Sequence, residues 1–497
     1  MQQLNSWDAA FLYGETNFAP MHICSVAHFG PGKNGEQLSL DDVRAMVKQR
    51  LHLLPPFFQR VVHVPFGLDR PYWADDREVN IDDHLHQVTL LPPGDRRQLA
   101  EQVSQIAARP LDLSRPLWEM DLIHGVEGDQ TVLVTKFHHA AVDGASGAKV
   151  MMLLLDPSPD TQPVPAPDSR GPGRSPGLWE MMLRGLASAA NYPIEVLRLQ
   201  RRMMGSMPHL VRPAAESSGR LSGRLALPVV RAPRTPFNGK LTPDRSWAFG
   251  EVSLDQVKAI KNTFGGTVND VVMSVCAGAL RHWLLEHDAL PRDPLVVMIP
   301  ISLRSDEDHG SFGNRVSMMT AALPTTVADP VQRLRATAAA AKAAKQTHSA
   351  LGDDFLAGAL QLAMPMLAAP GFRVAAEMPF TNMAHPSANL FISNVPGPPH
   401  ALYLAGKKML TYYPAAFLPR GTGLNMVVLS YLGTINFGLM ACPELVPDVW
   451  NLMDDVIGAV EELAQAAEDV DGRKSGRPPA SATKARTHAK AARTEKA

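Results

Sequence analysis

At 497 residues the chain exceeds one ordinary hydrophobic core, so two domains of roughly 150–250 residues each are expected. Hydrophobic residues make up 45% and charged residues 20%, as in a soluble globular protein, and a net charge of -1 excludes the broad basic field of a nucleic-acid binder. The three cysteines, Cys24, Cys276 and Cys442, are distant and odd in number, which excludes a disulfide framework and CxxC metal spacing and points to a reducing compartment.

The opening "MQQLNSWDAAFLYGE" has no basic stretch followed by an apolar run, so no secretory signal is expected. Met21–Phe29 reads as a strand. Ser39–Leu54 reads as a helix, with Ser39 as N-cap and carboxylates in the first turn. Asp75–Leu90 looks like a strand edge leading into a loop, and Asp95–Leu113 like a helix stopped by Pro110. Thr131–His139 is then a strand and Ala145–Asp156 a helix packed behind it. Pro157–Pro176 is too rich in proline and glycine to fold alone. The helix after it, Leu178–Met204, sets Arg184, Arg198, Arg201 and Arg202 among large apolar residues. It either docks on the domain or lies in a membrane interface.

A second start comes at Thr235. Arg245–Leu254 reads as a strand, Ser253–Phe264 and Thr267–His287 as helices, and Pro294–Arg304 as a strand. The segments 315–324, 389–398 and 423–440 and the helix Val446–Glu468 complete this half. The expected organisation is 1–158, a crossover linker over 159–234, a second half over 235–471, and a disordered basic tail over 472–497. No stretch reaches the roughly 18 uninterrupted apolar residues of a membrane span. The nearest, Phe355–Phe372, contains Gln361 and two prolines and reads as a buried helix or an acyl-channel wall.

"VTKFHHAAVDGASG", Val134–Gly147, carries the chemistry. It leaves a strand on His138 and His139 and bends at Asp143-Gly144. A neutral imidazole held at a strand end suits a general base that takes a proton from an alcohol attacking an activated acyl group, a contribution of roughly 10²–10⁴-fold. A metal site is disfavoured, because adjacent histidines on a strand point to opposite sides. A serine hydrolase lacks its GxSxG elbow here, and no GxxxxGK[ST] phosphate loop occurs. Two purely structural histidines are the remaining alternative.

"HHAAVDG" resembles the HHxxxDG signature of the coenzyme A-dependent acyltransferase superfamily, which peptide-synthetase condensation domains share. Over nearly all of residues 1–470 the chain resembles the bacterial wax ester synthase/diacylglycerol acyltransferase family, with its motifs in order. They are "LNSWDAAFLYGET", Met21-His22, "PLDLSRPLWE", "HHAAVDG", "RTPFNG", "TVNDVVMSVCAGALR", "PISLR", Gly313-Asn314, "SNVPGP" and "LSYLG". The resemblance implies an α/β (mixed α+β) fold of two chloramphenicol-acetyltransferase-like domains, with mixed sheets, flanking helices and an active-site tunnel at their interface. It makes His139 the general base and His138 a supporting residue. Asp143, beside Gly144, would brace the bend by pairing with an arginine, for which Arg304 is the candidate.

Asn269, beside Asp270 at the start of an apolar helix, has two readings. It donates an amide hydrogen bond to an oxyanion, or one of the two residues caps the helix. Trp118 reads as core or as a substrate contact. Asn394, Pro396 and Gly397 form a rigid turn shaping the tunnel wall, and Ser430 and Tyr431 hydrogen-bond within the core.

The function implied is acyl-CoA:1,2-diacylglycerol O-acyltransferase, with acyl-CoA as co-substrate and no cofactor or metal. Such an enzyme would be cytoplasmic and peripheral to the inner membrane face or lipid droplets. The alternatives are a wax ester synthase taking long-chain alcohols, a condensation-type enzyme taking carrier-bound thioesters, and a non-catalytic lipid-droplet protein.

Overall fold

The computed structural model describes residues 1–76, 79–160, 164, 177–188, 190, 194, 197, 232–302, 316–351 and 386–474. Arg304, Gly313-Asn314, the apolar segment 355–372, most of the linker and the basic tail beyond Lys474 lie outside the described residues, and residues 472–474, expected to be disordered, continue the last helix.

Three sheets organise the described residues, with strands numbered in chain order. A small one joins β1 (Gln2–Gln3), β3 (Gln59–Val62) and β4 (Tyr72–Asp75) in the order β1-β4-β3. The first large sheet takes β2 (His22–Phe29), β5 (Leu85–Thr89), β6 (Trp118–Val126) and β7 (Gln130–His138) from the amino-terminal half. It is completed by β12 (Tyr403–Leu404) and β13 (Lys407–Ala415), in the order β12-β13-β2-β7-β6-β5. The second large sheet contains β8 (Ser246–Ser253), β9 (Leu295–Ser302), β10 (Val316–Leu323), β11 (Leu390–Val395), β14 (Leu424–Tyr431) and β15 (Thr434–Ala441). Its order is β10-β9-β11-β14-β15-β8. Both are mixed: β5 runs parallel to β6, β11 runs parallel to β9 and β14, and the other large-sheet pairs are antiparallel. The structure is thus the mixed α/β fold with two sheet-rich domains.

Ten helices are described: α1 (Ser6–Gly14), α2 (Leu40–Arg50), α3 (Pro55–Phe58), α4 (Arg96–Ala108), α5 (Gly144–Leu154), α6 (178–188), α7 (Leu254–Phe264), α8 (Val268–Glu286), α9 (Pro330–Leu351) and α10 (Val449–Lys474). Their local chemistry explains their ends. Ser39 caps α2 in a capping box with Asp42, and Asp95 does the same for α4 with Gln98. The α4 helix stops two residues before Pro110, as the proline requires. The α9 helix, which the periodicity reading passed over, has Pro330 at its start, an Asp329 side chain accepting from Gln332 N, and an alanine-rich body that favours helix.

The three largest apolar clusters among the described residues fill three spaces. One packs α1, α2 and α5 on the first sheet; another packs α7, α8 and α10 on the second. The third lies between the sheets and joins Val26, Leu99 and Val134 to Trp247, Phe249 and Met440. There β13 passes so close to β15 that a Cβ at Gly438 would stand 1.7 Å from Pro414 O, so only glycine fits. Trp247 Nε1 donates to the same Pro414 carbonyl at 3.1 Å. β13 is tied to the first half by Lys407–Asp42 at 3.3 Å, and β12 by paired backbone bonds between Asp156 and Tyr403 at 2.8 Å. These long-range pairings left no local mark, and neither β12 nor β13 was expected.

Candidate active site

The bend after β7 is built from the backbone outward. His138 N donates to Leu117 O at 3.0 Å, and Ala141 N donates back to His138 O at 2.9 Å. The His138 ring is fully buried, and Ala140 N–H donates to its Nδ1 at 3.0 Å. That bond leaves the proton on Nε2, which donates to Glu15 Oε2 at 3.3 Å. Both ring nitrogens of His138 are therefore committed to holding the turn. Glu15 Oε1 accepts from Met21 N at 3.3 Å, while Met21 O accepts from His139 N at 2.8 Å. Residue 15 thus reaches both histidines, one through a side chain and one through the chain itself. Sequence reading quoted Glu15 inside a motif but gave it no role, because a lone carboxylate carries no spacing signal.

His139 is half-buried, with its Nδ1 wholly enclosed, so its accessible surface lies on its other atoms. Its ring stacks on Phe11 of α1, centroids 4.1 Å apart and planes at 30°. Phe417, from the loop after β13, meets it edge-on at 5.3 Å and 80°. Neither phenylalanine was legible as a site residue.

Asp143 braces the bend through the backbone of the following helix. It is the N-cap of α5, its Oδ1 accepting from Ser146 N at 2.6 Å. Gly144 follows where space is tight: a Cβ there would lie 3.2 Å from Val395 Cγ2 at the end of β11. The start of α5 in the first half therefore touches the end of β11 in the second.

Beside Val395, Asn394 Nδ2 donates to Asn269 Oδ1 at 3.2 Å. This bond brings the start of α8 to the same junction. The capping of α8 belongs to Thr267 and Asp270, a reciprocal box in which Asp270 Oδ2 accepts from Thr267 N at 2.8 Å. Asn269 does not cap. Its oxygen is held by Asn394, which leaves its NH₂ as the donor group. After Val395-Pro396, the backbone at Gly397 presses on β14, where a Cβ would stand 2.2 Å from Ser430 O. Gly397 N donates to Ser430 Oγ at 3.2 Å, and Tyr431 OH donates to Met409 O at 3.1 Å. Trp118 takes the core position, one of its two expected readings. It is completely enclosed, stacked between Phe57 at 4.5 Å and His84 at 4.3 Å, with Nε1 donating to Phe57 O at 3.1 Å.

Beneath the bend runs a buried charged network. Lys136, on β7 and wholly buried, sits 2.8 Å from Glu119, which also meets Arg109 at 2.9 Å. Burial alone would push the Glu119 carboxyl up, but Lys136 and Arg109 together hold it below the usual value. His22, opposite His138 across β2 and β7, is kept neutral chiefly by burial and then by Lys136, which take its pKa well below 6.5. Its Nε2 lies 2.8 Å from Ala107 O.

Comparison with known proteins accounts for this layout. The family model for the wax ester synthase/diacylglycerol acyltransferase catalytic domain matches residues 4–272, and its C-terminal domain model matches 312–464. Among curated relatives, the "Putative diacyglycerol O-acyltransferase Rv1760" of Mycobacterium tuberculosis is 35% identical, over 94% of this chain and 91% of its own. The "Probable diacyglycerol O-acyltransferase tgs2" of the same species is 33% identical, over 92% and 98%. Among solved structures, the wax ester synthase/diacylglycerol acyltransferase from Marinobacter aquaeolei VT8 superposes with a TM-score of 0.65 at 26% identity, over 94% of this chain and all of its own. A condensation domain of the CDA synthetase, 16% identical with a TM-score of 0.56 over 95% and 98%, shares the fold. The chain is an acyltransferase and belongs to the wax ester synthase/diacylglycerol acyltransferase family.

Proposed function

We propose that the protein transfers a long acyl chain from acyl-CoA to the free hydroxyl of a 1,2-diacylglycerol, with His139 as general base. The observation that carries this reading is the division of labour between adjacent histidines. His138 is fully buried with both nitrogens engaged in the bend, while His139 is only half-buried, its ring set against Phe11 and Phe417. His139 would take the hydroxyl proton as the oxygen attacks the thioester carbonyl, and return it to the departing CoA thiolate when the tetrahedral intermediate collapses. The carbonyl oxygen becomes an oxyanion between these steps. The Asn269 NH₂, oriented by Asn394, is the donor proposed for it. No acyl-enzyme, metal or cofactor enters the scheme. Diacylglycerol is preferred to a fatty alcohol as acceptor because the relatives at 33–35% identity carry the diacylglycerol name, whereas the structure named for both activities is 26% identical.

Peripheral contact with a lipid surface is part of the same proposal. Among the described residues no helix is long and apolar enough to cross a membrane. The α6 helix docks by Met181 on Val64 and Tyr72, while its opposite face turns Trp179, Leu183 and Leu186 to solvent. Phe66, 87% exposed, stands on the loop next to it. A helix so arranged suits the interface of a membrane or droplet.

The test is product analysis of purified protein given oleoyl-CoA with diolein and hexadecanol in competition. Triacylglycerol should dominate and His139→Ala should lower turnover about 10²–10⁴-fold. Undiminished turnover in that variant would refute the base, and wax ester as main product would reassign the acceptor.

A further inference from the structure

We infer that Phe11 and Phe417 form a two-sided aromatic clamp that sets the ring orientation of His139, and that Phe417 is a positioning residue for catalysis supplied by the carboxy-terminal half. The inference rests on His139 acting as the base. An imidazole turns about a broad, roughly two-fold torsion, so fixing its backbone does not fix where its nitrogens point. The bond from His139 N to Met21 O settles only the backbone. The two rings meet the imidazole differently. Phe11 covers a face and Phe417 presents at 80° to it, and the two phenyl rings contact each other at 5.9 Å and 81°. Face and edge contacts together restrain tilt and rotation, and both geometries are favoured by aromatic quadrupoles.

Each jaw is rigidly mounted. Phe11 lies in α1, which Asn5 caps by accepting from Asp8 N at 2.8 Å, and it belongs to the first-half core. Phe417 lies two residues beyond the end of β13, and its carbonyl accepts from Asn425 Nδ2 at 2.7 Å, with Asn425 itself buried in β14. The next residue, Leu418, is fully buried. A base must sit within hydrogen-bond reach of a hydroxyl that arrives on a flexible lipid, so a misdirected ring costs turnover more than binding.

The experiment uses the full chain and two readouts. Steady-state kinetics with oleoyl-CoA and diolein compare wild type, F417A, F417Y, F11L and H139A. Diethylpyrocarbonate modification, resolved by mass spectrometry, follows the reactivity of His139 itself. F417A should lower kcat about tenfold, the change that about 1.4 kcal/mol of barrier produces, with KM for either substrate within about twofold. F417Y, which keeps the ring, should return kcat to near wild type. In both F417A and F11L, His139 should be modified faster than in wild type. The clamp is overturned if F417A leaves kcat and His139 reactivity unchanged, if its loss appears in KM alone, or if F417Y fares no better than F417A. Turnover retained by H139A would sink the base assignment instead, and the reactivity readout would still judge the clamp.

Discussion

The ends of β7 and β11 meet at one junction, yet the sheets behind them are built differently. On β7 and the strands beside it lie Lys136, Glu119, His22 and His138, all buried or nearly so and tied to one another, to Glu15 or to backbone groups. Behind β11 the core is apolar, with Val272, Cys276 and Leu280 of α8 packed on Leu390, Ile392 and Val428. The junction on that side is held by neutral amides, Asn394 and Asn269. The contrast teaches where fixed geometry is demanded. A sharp bend that presents His139 in a set direction cannot be held by apolar contact alone, because such contact is non-directional, so the first sheet uses hydrogen bonds and charge.

Four measurements would break or sharpen this contrast. The largest effect should come from Lys136→Met. It leaves Glu119 buried with a weaker set of partners and should cost about 3–5 kcal/mol in urea unfolding, part of which returns in K136M/E119L because removing both members of a buried pair is milder. Equal stability of K136M and wild type would mean that the network does not hold the first sheet. Leu280→Ala in the other core should cost about 2–5 kcal/mol as a cavity, and no polar second change should recover it.

Next is His138. His138→Ala strands the Ala140 N–H and should cost about 1–3 kcal/mol with a matching loss of kcat. His138→Asn, whose side-chain oxygen can accept from a backbone N–H two residues on, should recover stability in part. An asparagine variant no better than alanine would argue against the bend as the reason for this residue. At the second junction, Asn269→Ala should lower kcat about tenfold or more with thermal stability nearly kept, whereas Thr267→Ala should cost about 1 kcal/mol of stability with kcat kept. The reverse pattern would make Asn269 a structural residue.

The smallest effect separates the halves by pH. Burial holds His22, His28 and His84 below 6.5 in the folded chain, so the unfolded chain takes up protons first as pH falls. Their contribution is complete above about pH 6.5 and is lost below it. Asp455 in α10 has the opposite sign. Burial, with Glu286 close by, raises its carboxyl from 3.8 to about 6, so its stabilising share is present below 3.8 and lost as pH rises through about 6. Asp455→Asn should therefore gain about 1 kcal/mol at pH 7 and nothing below about pH 4. His84→Gln should flatten the acid limb. A pH-independent gain in the first variant, or an unchanged acid limb in the second, would remove the electrostatic half of the contrast.

Local chemistry explains what the sequence made readable. The α2 helix announced itself through Ser39 and its carboxylates, α8 through its unbroken apolar run, and the strand-bend-helix around His139 through period and glycine. Strand β6 was hidden behind the PLW motif, whose tryptophan turned out to be core. The site was half legible. Histidine, aspartate and asparagine carry chemistry in their type, whereas Phe11, Phe417 and Glu15 gain meaning only from neighbours up to hundreds of residues away.

The position of β13 bears on how the molecule is made. A ribosome releases β2 about 390 residues before its outer partner, since Cys24 waits for Ala415. Until then the nascent chain carries a bare sheet edge, of the kind that invites pairing with other chains, and a chaperone is the natural cover for it. The same late strand brings Phe417 with it, so the proposed base, His139, meets both of its aromatic neighbours only when the polypeptide is almost entirely synthesised. A truncated product would carry both histidines and no competent site.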